Sequence, residues 1–82
     1  VPQAEVPKTD LENGLDMIGA LAAKTAFLSS NGEARRELKQ NSISVNKEKV
    51  REGYKITISD LINDKFVLLQ RGKKNYFLIV VD

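Results

Sequence analysis

The spacing of apolar residues changes near Asn41 from a helical period to a strand period. Before that point, the apolar residues from Leu11 to Ala22 recur every three to four residues, which predicts an amphipathic helix to about Lys24. Thr9-Asp10-Leu11-Glu12 fits a capping box at its start. Gly14 should weaken this helix by only about 1 kcal/mol relative to alanine.

A second helix is predicted after the short apolar turn Ala26-Phe27-Leu28. Ser30-Asn31-Gly32-Glu33 fits another capping box, and Ala34 and Leu38 supply the side that we expect to be buried. The other faces of this helix carry three cations, Arg35, Arg36 and Lys39. Asn41 suits the left-handed position that ends many helices.

The second half of the chain alternates with a period of two, as half-buried strands do. Ile43–Asn46 and Tyr54–Ile58 are predicted strands, and Ser59–Ile62 is a predicted single helical turn. The strongest pattern comes last, where two apolar runs flank Arg71-Gly72-Lys73-Lys74 and predict a hairpin with glycine in its tip. The aromatic residues that we expect in the core are Phe27, Phe66 and Phe77.

These elements follow the order α-α-β-β-β. The predicted fold class is α+β, with two N-terminal helices packed on a small, mostly antiparallel sheet. Residues 1–8 contain Pro2 and Pro7 and read as a linker from an upstream region, whereas residues 9–82 form one domain. Because the chain starts with Val1, we expect it to be a piece of a longer protein.

The composition limits the kinds of catalytic and metal-binding chemistry that this segment can carry out. The chain has no histidine and no cysteine, so the commonest acid–base catalyst, thiol nucleophiles and disulfides are all missing. We expect no catalytic site, metal site or bound cofactor in this segment. No apolar run reaches the ~18 residues that cross a bilayer, and we expect a cytoplasmic protein without membrane contact.

The positive charge lies in the second half. Residues 1–34 carry a net charge of −3, and residues 35–82 carry +5, so a polyanion would meet the second half. Three clusters of basic or amide side chains stand out: Arg35, Arg36 and Lys39 on the second helix; Asn46, Lys47, Lys49 and Arg51 after the first strand; and Arg71, Lys73 and Lys74 at the hairpin. We expect the first two clusters to lie close together and to form a rim that binds phosphates, although each cluster is also compatible with an ordinary solvated surface.

Two motifs give a resemblance to a known family. Ser-x-x-x-Ala-Arg at 30–35 followed by Ile-Ser-Val-Asn at 43–46 resembles the RNA-binding module named after ribosomal protein S four, the alpha-L RNA-binding motif. The closing segment DKFVLLQRGKKNYFLIV is similar to the C-terminus of bacterial-type tyrosyl-tRNA synthetases. The similarity extends from about Leu15 to Val80.

The resemblance implies an RNA-binding domain that helps bind tyrosine tRNA near the anticodon stem and the long variable arm. The parent enzyme would be a homodimer whose upstream catalytic domain uses ATP and Mg²⁺, while this domain alone would be a monomer without a cofactor. The resemblance places RNA contacts at Ser30, Asn31, Arg35, Arg36, Lys39, Asn46, Lys47 and Lys49. The hairpin cations Arg71, Lys73 and Lys74 complete the predicted site.

The chain departs from this family at several positions. Members often have glycine where this chain has Ala26, Asn41 and Lys47, and basic residues where it has Asn31 and Gly32. The lost charge at the helix start should weaken that contact, and Lys47 should restore part of it.

Two alternatives stay open. The same module could belong to a ribosome-associated protein or a pseudouridine synthase. A different class is a helix-turn-helix, for DNA or for a protein partner, built on residues 10–40. Its turn would be unusually long, and the strands that follow look integral to the fold.

Overall fold

The computed structural model describes residues 2–81. Along the chain, the helices and strands are β1 (Gln3–Val6), α1 (Lys8–Glu12), β2 (Leu15–Asp16), a π-helical segment (Gly19–Ala23), α2 (Asn31–Lys39), β3 (Ile43–Val45), β4 (Glu48–Lys49), β5 (Lys55–Ile56), a 3-10 turn (Ile58–Asp60), β6 (Phe66–Arg71) and β7 (Asn75–Val81). Over this range, five strands form a mixed sheet in the order β1-β7-β6-β3-β4, and β2 pairs with β5 in a separate ribbon. No helix in the described range is long and apolar enough to cross a membrane.

The predicted α-α-β-β-β architecture, and with it the alpha-L-like arrangement of two N-terminal helices on a sheet, is wrong. Short helices alternate with strands, and a strand precedes the first helix. The sheet is mixed because β1 runs parallel to β7, while the pairs β7–β6, β6–β3 and β3–β4 are antiparallel.

The first predicted helix is broken at Gly14. This residue has φ +87°, and its N–H donates to the carbonyl of Leu11 at 3.2 Å, so α1 ends after a single turn. The chain then forms β2, which is antiparallel to β5. The expected Thr9 capping box is absent from α1, whose N-cap is Pro7 without a side-chain hydrogen bond. The apolar residues do recur at helical spacing, but they are distributed over three short segments, α1, β2 and the π-helical segment.

Strand β1 was missed because its two flanking prolines indicated a linker. Val6 is buried opposite Val81, and Ala4 packs against the core opposite Ile79. Proline is tolerated here because β1 is an edge strand. The assignment of residues 1–8 to a linker from another region, and of 9–82 to the domain, stays a prediction.

Helix α2, strand β3 and the final hairpin are confirmed. The hydroxyl of Ser30 accepts a hydrogen bond from the N–H of Glu33 at 3.1 Å and caps α2. At the other end, Asn41 has φ +61°, and the N–H of Ser42 donates to the carbonyl of Glu37 at 3.2 Å, which completes a Schellman motif. In the hairpin, β6 and β7 pair from Phe66–Val80 to Arg71–Asn75.

The core lies on one face of the mixed sheet, called here the inner face. Its strand residues are Ile43, Val45, Val67, Leu69, Phe77 and Ile79, and both α1 and α2 bury their apolar residues in the same cluster. Phe27 is partly buried and stacks on the Phe77 ring with centroids 4.9 Å apart. Phe66 was expected in the core, but alternation along β6 places it on the opposite, outer face, where it is partly exposed.

The three non-glycine residues at positions where the family often has glycine all adopt left-handed backbone conformations. Ala26 has φ +60°, Asn41 +61° and Lys47 +72°. Asn46 and Lys47, both with positive φ, form the two-residue turn between β3 and β4, which is the geometry favoured in tight hairpins. A lysine is sterically strained in this conformation, whereas glycine is not.

We therefore expect Lys47→Gly to raise the free energy of unfolding by about 1 kcal/mol, because it relieves a left-handed side chain. Urea denaturation followed by circular dichroism measures the change. Lys49→Gly is the matched control: it removes the same charge from strand β4 and should lower stability. Equal effects of the two substitutions would contradict the backbone explanation.

Candidate nucleic-acid interface

The rotation of α2 decides where its cations point. Ala34 and Leu38 are buried in the core cluster, and α2 packs beside the π-helical segment. Residues 33 and 37 lie on one flank of the helix, residues 35 and 39 lie on the other, and Arg36 lies opposite the buried side. The predicted helix cluster of Arg35, Arg36 and Lys39 is therefore on the outward side and one flank.

Lys39 and Arg51 line the same shallow surface hollow of about 380 Å³ at that flank, together with Leu38, Asn41 and Glu52. Arg51 lies in the loop after β4, so the hollow is shared by the helix cluster and the end of the second cluster. Arg35 lies beside it, with its Nε 3.4 Å from a carboxylate oxygen of Glu52. We call this region, formed by Arg35, Arg36, Lys39 and Arg51, the basic rim.

Arg71 lies against the other flank of α2 and is largely occupied there. Its Nη1 is 3.6 Å from Glu33 Oε2, and its Nε is 3.6 Å from Glu37 Oε1. Two carboxylates around one guanidinium leave no surplus positive charge at this point. The role indicated for Arg71 is to connect the end of β6 to α2.

Lys73 and Lys74 are exposed in the turn between β6 and β7. The N–H of Gly72 donates to the carbonyl of Ser42 at 2.9 Å, which holds the start of this turn beside the C-terminal end of α2. Neither lysine has a carboxylate within 4.0 Å in residues 2–81. The two lysines add a small positive surface of their own at the hairpin turn, next to the C-terminal end of α2.

The cluster after β3 is divided. The side chain of Asn46 is used internally: its Oδ1 accepts from the N–H of Leu68 at 3.0 Å, and its Nδ2 donates to the carbonyl of Asp60 at 2.7 Å. Lys47 is exposed at the tight turn, on the end of β3 away from α2. Lys49 pairs with Ser44 and shares its face, so it projects to the outer side of the sheet. The structure brings neither lysine to the hollow.

The N-terminus of α2 already holds a carboxylate. Glu33 Oε1 accepts from the N–H and the hydroxyl of Ser29, at 2.9 and 2.7 Å, instead of from the N–H of Ser30 as the capping box predicted. These bonds, led by the one from the Ser29 hydroxyl, lower the pKa of Glu33, and Arg71 and Arg36 act in the same direction. Ser30 and Asn31 are exposed, but the carboxylate reduces the attraction of this end for a phosphate.

The lining residues Asn41, Arg51 and Glu52 were absent from the predicted site. Arg51 was recognised as part of a basic cluster, but its approach to Lys39 depends on how the loop after β4 folds back on α2. No short motif encodes that approach. In a separate polar pair, the Tyr54 hydroxyl donates a hydrogen bond to Asp60 Oδ1 at 2.7 Å, and this bond raises the pKa of Tyr54 to about 12.

Together these features define a small mixed-sheet domain with a cation-rich surface on α2 and its neighbouring loops. The model of the tyrosine–tRNA ligase SYY-like C-terminal domain matches residues 2–79, and the chain belongs to that family. This confirms the resemblance that the sequence motifs indicated.

Individual relatives agree with the family match. The chain is 64% identical to a tyrosine–tRNA ligase of Flavobacterium johnsoniae and 59% identical to one of Flavobacterium psychrophilum, over 99% of its length in each case. It is 37% identical to a tyrosine–tRNA ligase of Porphyromonas gingivalis over its whole length. The chain spans 19% of the length of each of these relatives.

The hydrogen bonds to the Glu33 carboxylate can be tested by titration. The carboxyl group should titrate below its ordinary pKa of 4.5, so its contribution to stability is present above that value and is lost as the pH falls through the lower folded-state pKa. NMR titration of the side-chain carboxyl measures it. Ser29→Ala removes the largest cause and should move the pKa back up, and an unchanged pKa in that variant would contradict the assignment.

The structural role of the Asn46 side chain can be tested by substitution. Asn46→Ala leaves the N–H of Leu68 and the carbonyl of Asp60 without their partner, which should cost about 2–3 kcal/mol of unfolding free energy. Asn46→Asp keeps the acceptor for the N–H of Leu68 but places a carboxylate oxygen against the carbonyl of Asp60, so it should lose at least as much stability. A stable Asn46→Ala domain would show that the internal bonds are unimportant.

Proposed function

We propose that this domain helps a tyrosine–tRNA ligase hold tyrosine tRNA, near the anticodon stem and the long variable arm, so that the catalytic region can attach tyrosine. The observation that carries the proposal is the basic rim, in which Arg36, Lys39 and Arg51 lie outside the ion pairs found among residues 2–81. Arg35 keeps half of its side chain exposed beside Glu52. A phosphate chain could follow this surface.

The chemistry of the rim suits structured RNA. Double-stranded RNA is recognised largely through its shape, phosphates and 2′-hydroxyls, so a cationic surface does not need a code for base edges. Arginine offers two parallel hydrogen bonds to a phosphate, and lysine offers a mobile point charge. Neutralising roughly 3–5 phosphates would give a logarithmic salt slope near −3 to −4.

The predicted contacts differ in the support that they receive. Arg35, Arg36 and Lys39 form the centre of the proposed surface, with Arg51 added to them. Lys73 and Lys74 could contact a second part of the tRNA, and Ser30 and Asn31 contribute at the margin. Four residues are secondary candidates for RNA contact. Asn46 and Arg71 have the internal roles described above, and Lys47 and Lys49 do not reach the hollow.

The remaining parts of the proposal concern the whole ligase. We assign ATP and Mg²⁺ to its catalytic region, outside these residues; within the described range, no group of three carboxylate side chains is arranged to hold a metal ion. We also propose that the ligase is a cytoplasmic homodimer. The family match supports the ligase over a ribosome-associated protein or a pseudouridine synthase.

The test is tRNA binding by the full-length ligase. Arg36→Gln combined with Lys39→Gln should weaken binding of tyrosine tRNA about 10-fold at moderate salt and make the logarithmic salt slope shallower by roughly 1.5–2, because two phosphate contacts are lost. Filter binding or fluorescence titration at several salt concentrations measures both quantities.

The matched control changes the same amount of charge elsewhere. Lys8 follows β1, whose Val6 pairs with Val81, and the carbonyl of Lys65 accepts from the N–H of Val81, so both lysines lie at the end of the sheet away from the hairpin turn. Lys8→Gln with Lys65→Gln should leave binding nearly unchanged. If the control weakens binding as much as the rim variant, the effect is one of net charge and the proposed surface is wrong.

A further inference from the structure

A second surface is apolar and lies on the outer face of the mixed sheet. Cross-strand pairs place Phe66 beside Val80 and Leu68 beside Leu78, and Ile62 bridges to Phe66 at one end. Tyr76 continues the row toward the hairpin turn. We call the set Ile62, Phe66, Leu68, Tyr76, Leu78 and Val80 the outer stripe.

The outer stripe is only partly covered by the described chain. Ile62 and Tyr76 are each 36% exposed, and the four members between them are partly exposed. By contrast, Val67, Leu69 and Ile79 on the inner face are fully buried. Both helices pack on the inner face, so the outer stripe faces away from α2 and from the basic rim. A contiguous exposed apolar surface of this kind on a small domain usually marks an interface.

The surroundings of the outer stripe disfavour RNA as its occupant. Its central members Leu68, Leu78 and Val80 carry no charge, and the β1 residue beside Val80 is Glu5. Gln3 and Glu5 border it on one side, and Lys49, beyond the buried Ser44, borders it on the other. An apolar centre with a polar rim is the usual composition of a protein–protein contact.

The path of the chain indicates which protein surface is close at hand. The N–H of Leu78, at the centre of the outer stripe, donates to the carbonyl of Pro2 at 3.0 Å, and Gln3 lies directly opposite Leu78. Pro2 therefore lies at the border of the outer stripe. The related ligases are about five times as long as this chain. A region joined through Pro2 would be held near the outer stripe at an effective concentration of about a millimolar.

We propose that the outer stripe docks the region of the same ligase polypeptide that precedes this domain. The inference rests on the proposed function in one respect, namely that the chain is the C-terminal part of a longer ligase. Docking on the outer face would leave the basic rim, on the opposite side of the sheet, free for tRNA. The domain would then connect the body of the enzyme to its RNA.

The experiment is photo-cross-linking in the full-length ligase without RNA. p-Benzoylphenylalanine in place of Tyr76 should form a cross-link within one polypeptide, to a peptide that precedes this domain, on a species of monomer mass. The matched control places the same residue at Tyr54, which is also 36% exposed but lies outside the outer stripe, and this position should give at least 5-fold less of that product. Peptide mass spectrometry identifies the partners.

A second measurement uses substitution. Leu78→Gln should release the docked region and increase the rate of proteolytic cleavage just before β1 about 10-fold, with the circular dichroism spectrum unchanged because Leu78 is only partly buried. Ile58→Gln changes an apolar residue that is 46% exposed outside the outer stripe and should have no effect.

Three outcomes would overturn the proposal. A cross-link from position 76 to the outer stripe of a second copy would make it a contact between subunits. A cross-link from position 76 to added tRNA itself would make it an RNA surface, and equal yields from positions 76 and 54 would show that nothing docks there. If docking fails while Arg36→Gln with Lys39→Gln still weakens tRNA binding, the proposed function stands without this inference.

Discussion

The burial of Ala34 and Leu38 in the core cluster, where α2 packs beside the π-helical segment, is the constraint on which the surface depends. Two apolar positions four residues apart leave α2 only one rotation about its axis. That rotation directs Lys39 to the hollow, Arg35 to Glu52 beside it and Arg36 outward, and it places Glu33 and Glu37 next to Arg71. The same contact that completes the small core therefore also sorts the cations into those available to a ligand and those already paired.

Left-handed residues make this arrangement possible in a short chain. Gly14 ends α1 after one turn, Asn41 ends α2, and Asn46 with Lys47 reverses the chain after β3. Each allows a new element to begin within a few residues, so that many short segments can share one core. The cost falls on Lys47, since a lysine tolerates this conformation less well than asparagine or glycine. Stability and surface charge are thus in conflict at that turn.

The two faces of the sheet differ in how completely they are buried. The inner face is filled by the helices and forms the core, while the outer face keeps the partly exposed outer stripe. A protein of this size buries a limited fraction of its surface and has few apolar residues to spare. Leaving six apolar side chains partly exposed in one row withholds apolar area from the core, which is why we propose an interface for them.

The sequence by itself determined the elements whose signals are local: the Ser30 cap and apolar spacing of α2, the turn at Asn41, and the alternation and glycine of the final hairpin, together with the motifs that identify the family. It indicated a linker where β1 lies and one continuous helix where residues 9–24 form several short elements. Both errors have the same cause: Gln3–Val6 pairs with β7 and Leu15–Asp16 pairs with β5, and these partners are far apart in the chain. Only the tertiary structure decided that the Asn46 amide and the Arg71 guanidinium are used internally and that Lys39 and Arg51 line the same hollow. The physical reason is that hydrogen bonds and charges act over a few ångströms in space, so a side chain's partners are set by packing and not by its neighbours in sequence.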